Sequence, residues 1–169
     1  MSRISLLHQE GALKSYFPGS NITRNGELEL TWSSKITPSP LSSTYLLKLH
    51  YKFKKGIQVY VIDPKPLALA KGTTKLPHVY STPEQSLCLY YPIDNEWDTG
   101  MYYVKTLIPW ACEWLCHYEI WVSTGTWFGG GIHNESEAEK QANQQNEEVK
   151  EASNNDKKQS PIDKNPSSK

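Results

Sequence analysis

A thiol is nucleophilic enough to accept an activated carboxyl group near neutral pH and a good enough leaving group to hand it on as a thioester. The chain carries three, Cys88, Cys112 and Cys116. Cys88 lies in EQSLCLYYP, residues 84–92, inside an apolar run that Pro92 closes. Packing in a core is the ordinary fate of such a cysteine, and reactivity needs a special setting. Three neighbours in sequence supply a reason to look for one: His78 stands ten residues earlier, Trp97 nine later, and a large helical segment follows. Cys112 and Cys116 are four apart beside His117. Zinc would need a fourth ligand and normally a tighter cysteine spacing, so this pair reads as helix packing and no metal is expected. The Gly129–Gly131 run lacks the lysine and following helix of a phosphate loop, so no nucleotide cofactor is expected. His133, just past the glycines, could reach the cysteine. Cys88 with His78 or His133 as base would also serve a cysteine hydrolase.

The elements that must position these residues follow from pattern. ISLLHQEGALKSY at 4–16 places Ile4, Leu7, Leu13 and Tyr16 at loosely helical spacing, which predicts a short first helix weakened by Gly11. ELELTWSSKI alternates with Leu28, Leu30 and Trp32 on one face. TYLLKLHYKF alternates more cleanly, Tyr45, Leu47, Leu49, Tyr51 and Phe53 opposing Lys48, His50 and Lys52. Lys54-Lys55-Gly56 turns the chain into IQVYVI at 57–62, and Asp63-Pro64-Lys65-Pro66 stops that strand. HVY and SLCLYY flank a turn at 81–85, with Cys88 and Tyr90 facing away from Leu87, Leu89 and Tyr91. Val104, Leu107, Ile108, Ala111, Trp114, Leu115, Tyr118 and Trp121 then form one apolar helical stripe, with Pro109 in a first turn that Thr106 could cap and Ser123-Thr124-Gly125 at the end. Helix, antiparallel strands, long loop and large helix make an α+β domain.

Composition narrows the function. With 18 basic and 18 acidic side chains the net charge is zero, far from the basic footprint of a nucleic-acid binder. The opening MSRISLLHQEG lacks the apolar run of a signal peptide, and three cysteines fit a reducing, cytoplasmic setting. Residues 101–122 are long enough for a membrane span, but Lys105, Glu113, His117 and Glu119 interrupt them, so no membrane is expected. A single domain should occupy 1–133. From 134 to 169 there is no aromatic residue and only Val149 and Ile162 as large aliphatics, which predicts a disordered polar tail. With Lys169 as the last residue rather than a glycine, the chain is not expected to be activated at its own end as a ubiquitin-like modifier is.

Taken together, LPHVY at 76–80, SLCL at 86–89, NEW at 95–97 and the helix after them resemble the core of ubiquitin-conjugating enzymes. The histidine-to-cysteine spacing of ten is the one that family uses, and the likeness covers roughly residues 4–122. It implies the ubiquitin-conjugating (UBC-like) fold: an N-terminal helix, a four-strand antiparallel meander and a large C-terminal helix, with Cys88 as the thioester nucleophile and His78 bracing its loop. TLIPWACEWLCHYEIWVSTGTWFGGGIH at 106–133 is similar to the divergent members encoded in bacterial CBASS antiphage operons of the short type II kind. This implies that Cys88 takes the C-terminus of a cGAS-like nucleotidyltransferase and passes it to an amine on an acceptor protein. The family's loop has proline and asparagine after the histidine, the asparagine amide stabilising the oxyanion; here those positions are Val79 and Tyr80. The Tyr80 hydroxyl is one candidate donor in its place. Asp94, Glu96 and Asp98 are candidates for orienting the attacking lysine or taking its proton, although solvated loop carboxylates are the commoner outcome. A non-catalytic adaptor of the same fold, with Cys88 merely packed, is the remaining alternative.

Overall fold

In the computed structural model, residues 2–90 and 96–130 are described. Asp94, His133 and the segment 134–169 lie outside them. The order is α1 (Leu6–Tyr16), β1 (Asn21–Asn25), β2 (Glu29–Ile36), β3 (Tyr45–Lys52), β4 (Gly56–Asp63), β5 (Val79–Ser81), β6 (Ser86–Leu87) and α2 (Leu107–Thr124). The strands form one sheet in the order β1-β2-β3-β4-β6-β5, every pairing antiparallel. The domain is α+β, as the sequence pattern predicts.

Alternation puts one row of apolar side chains on a common face. The register pairs Leu30 with Tyr51, Trp32 with Leu49, Leu49 with Val59 and Leu47 with Val61, and all of these are buried. Helix α2 lays its predicted stripe, Leu107, Ile108, Ala111, Trp114, Leu115, Tyr118 and Trp121, into the same cluster, and α1 adds Leu6 and Leu13. Val104, placed in the helix by its spacing, belongs instead to a 3-10 turn at Tyr103–Lys105. Thr106 is the N-cap position of α2, but its hydroxyl donates to the Tyr102 carbonyl at 2.9 Å rather than capping the helix. Pro109 falls in the first turn, where its missing N–H costs no hydrogen bond. Gly125, left-handed at φ 76°, ends the helix.

Several details differ from the sequence pattern. Helix α1 buries Leu6, Gln9 and Leu13, while Leu7 and Tyr16 are exposed. The buried face keeps Leu13 but takes Leu6 and Gln9 in place of Leu7 and Tyr16, because its middle member is a glutamine, which a hydrophobic pattern passes over. Gln9 is fully buried and satisfied at both ends, its Nε2 donating to the Met101 carbonyl at 2.8 Å and its Oε1 accepting from the Tyr103 N–H at 3.0 Å. Strand β1, NITRN, has no alternating signal because it is a largely exposed edge strand. Leu28 and Phe53 sit at the same end of the sheet outside the ladders, joined by the Phe53 N–H to the Leu28 carbonyl at 2.7 Å, and both are exposed. The strand expected over SLCLYY is shorter, since β6 pairs with β4 only through Val59 with Leu87 and Tyr60 with Ser86. Cys88 therefore follows the strand rather than lying within it.

Candidate active site

The loop between β4 and β5 is anchored by a second buried glutamine. Gln85 accepts from the Leu67 N–H through Oε1 and donates through Nε2 to the carbonyls of Val61 at 2.7 Å and Pro64 at 3.0 Å. Its own backbone carbonyl accepts from the Val61 N–H at 3.1 Å. One residue thus ties the return of the loop to the end of β4 and hands the chain to β6.

The β5–β6 hairpin brings the candidates together. Val79 pairs with Leu87 and Ser81 with Ser86, so Tyr80 is the extra residue of a bulge. Bulges re-aim a side chain out of the ladder's alternation. Tyr80 lies close enough to Cys88 for the two side chains to influence each other, and its hydroxyl is held in the protonated form well above the ordinary tyrosine value. Desolvation is the leading cause, followed by the neighbouring Cys88 and then Tyr90. One step past β6, the Cys88 N–H donates to the His78 carbonyl at 3.0 Å, and the same carbonyl accepts the Trp114 indole N–H from α2 at 3.1 Å. Cys88 is half-buried, with its sulfur 3.9 Å from the Tyr90 carbonyl.

His78 adopts φ 47°, uncommon for a residue with a Cβ, and its ring stacks on Trp127. Tyr90 contacts Trp97 and Trp110, with ring centroids 5.5 and 6.4 Å apart, so the tryptophan nine residues beyond Cys88 packs against the chain leaving it. Burial and the nearby Cys88 push the Tyr90 hydroxyl above its ordinary value as well. A small pocket is lined by Val59, Tyr80, Tyr90 and Leu107 together with Leu87 and Leu89, the residues on either side of Cys88. The expected carboxylates are placed differently: Glu96 is exposed, whereas Asp98 closes a turn through the Gly100 N–H, with the Met101 N–H on its backbone carbonyl at 3.1 Å. Among the described residues no three His, Cys, Asp or Glu side chains gather to hold a metal ion, and no helix is long and apolar enough to cross a membrane.

A family model described as the type II CBASS E2 protein matches residues 9–134. The chain belongs to this family. No curated protein matches it. The part shared with type II CBASS E2 proteins runs from within α1 to beyond α2, so Cys88, His78, Tyr80 and Trp97 all fall inside it. Two contributors to the site of this type II CBASS E2 protein escape a reading of the sequence, Gln85 and Trp127. A polar residue in a turn and an aromatic before glycines have no periodicity, and their roles depend on contacts distant in sequence.

Proposed function

We propose that this type II CBASS E2 protein is a conjugating transferase of UBC-like fold that works through a thioester on Cys88. The observation that carries the reading is the setting of Cys88: its backbone N–H is held on the His78 carbonyl and Tyr80 lies beside its thiol, at a half-exposed position. In the first step the Cys88 sulfur attacks an activated C-terminal carboxyl, a C–S bond forms and the activating group leaves. In the second an amine attacks that carbonyl, the C–N bond forms, and the thiolate departs as the amine loses a proton. The donor would be the C-terminus of a cGAS-like nucleotidyltransferase and the acceptor an amine on another protein, so that the transfer regulates antiphage defence in the cytoplasm.

Tyr80 fills the place of the missing asparagine in this scheme. A protonated hydroxyl beside the sulfur is also beside the carbonyl carbon bonded to it, where a preorganised donor lowers the barrier to the tetrahedral intermediate. His78 contributes its backbone carbonyl to Cys88 and its ring to Trp127, which favours bracing over a role as base. Replacing sulfur by oxygen or nitrogen converts the labile thioester into a stable link. Co-expressed with the nucleotidyltransferase, Cys88→Ser should accumulate an alkali-labile ester and Cys88→Lys a stable amide, each seen by mass spectrometry at residue 88. Absence of both adducts from a folded complex, with phage resistance intact in a Cys88→Ala strain, would leave the adaptor reading instead.

A further inference from the structure

The segment after α2 returns to the cysteine loop. Gly125 ends the helix, its N–H on the Trp121 carbonyl at 2.8 Å, and the Thr126 N–H donates to the Thr124 hydroxyl at 3.1 Å. That turn delivers Trp127 into a cluster of rings drawn from two other places in the chain. Its centroid lies 5.1 Å from His78 with the planes 27° apart, 5.8 Å from Trp114 and 5.7 Å from His117. Beyond it the backbone folds back so tightly that a methyl group added at Gly129 would come within 2.7 to 2.8 Å of the indole. Gly129 is therefore required for space rather than for an unusual φ.

His78 is where this contact matters. Its left-handed conformation persists only where the surroundings enforce it, and its carbonyl is shared by the Cys88 N–H and the Trp114 indole. We infer that Trp127 is a positioning residue for Cys88: its indole, given room by Gly129, clamps His78 in the conformation that aims the His78 carbonyl at the Cys88 N–H. The inference rests on the thioester reading for its catalytic meaning, but the clamp itself can be tested without any partner.

The test is alkylation of Cys88 by iodoacetamide in the full chain, followed by peptide mass spectrometry. Opening the clamp frees the loop, so Trp127→Ala and Gly129→Ala should each raise the Cys88 rate about fivefold or more. Trp127→Phe, which keeps a ring against His78, should stay within about twofold of the parent, as should Leu13→Ala, a core truncation that lowers stability without touching the clamp. Because Gly129 acts only by making room for the indole, the Trp127→Ala/Gly129→Ala double variant should alkylate no faster than Trp127→Ala. A folded Trp127→Ala protein reacting at the parental rate, or effects that multiply in the double variant, overturns the clamp. Gly129→Ala alone decides the matter if Trp127→Ala does not fold. If the alkylation pattern appears but the parent never forms an adduct with the nucleotidyltransferase, the clamp stands and the thioester reading fails.

Discussion

Tyr80 stands beside Cys88 at a bulge that interrupts the alternation of β5. Two residues before the bulge, His78 turns its carbonyl toward the cysteine N–H at the cost of a left-handed backbone. In the proposed function, the reactivity of Cys88 depends on neighbours that contribute a phenol and a peptide oxygen. Tyr80→Phe should slow discharge of the Cys88 adduct to an amine by about tenfold, the value of one hydrogen bond to a charged group. Tyr80 is 56% exposed, so unfolding by urea should show a stability change of only about 0.5 kcal/mol or less. The hydroxyl's raised pKa keeps it a donor past the ordinary tyrosine value of 10.0. The rate ratio of parent to Tyr80→Phe should therefore hold steady between about pH 7 and 9.5, and a ratio that collapses toward one in that range would remove Tyr80 from the mechanism. The resemblance places Tyr80 where conjugating enzymes carry an asparagine; the bulge at Tyr80 is a pairing irregularity with no local signature.

At the scale of elements, two glutamines join parts that hydrophobic patterns leave separate. Gln9 connects α1 to the chain that enters α2, across more than ninety residues. Gln85 holds the long loop to β4 and starts the strand that leads to Cys88. Gln85→Leu would strand a backbone N–H and two carbonyls in partly or fully buried surroundings, and urea unfolding should show a loss of about 3 kcal/mol. A loss under about 0.5 kcal/mol would mean that water replaces the side chain. The amphipathic face of α2 and the alternation of β3 were legible because each obeys one period over many residues. The phase of α1 was not, because its central buried residue is polar and gains its place through hydrogen bonds to residues 101 and 103.

The whole molecule stores several phenols where ionisation is resisted. Tyr103 is buried and its pKa is raised by desolvation, then by Tyr51 and Glu27. Tyr45 is raised by desolvation and by its hydrogen bond to Glu119, a 2.8 Å contact that also fastens α2 to β3, and Tyr118 by desolvation. In the unfolded chain these hydroxyls lose their protons near pH 10. Their contribution to stability is therefore complete below that pH and declines as pH rises above it, because the unfolded state releases protons first. Thermal unfolding should show a midpoint at pH 11 lower than at pH 8 by roughly 5 °C or more; an unchanged midpoint would contradict the burial of these groups. The order of elements apart from β1, the apolar face of the sheet, the stripe of α2 and the spacing of His78, Cys88 and Trp97 could all be read from the chain, since each is a relation between residues near in sequence. Folding alone could set the shared His78 carbonyl, the Tyr80 contact, the Trp127 stack and the two glutamine ties. Each joins groups whose separation along the chain carries no periodic trace, and, apart from the exposed Tyr80, each exists because burial obliges a polar group or a ring to find whatever partner the packed fold has brought beside it.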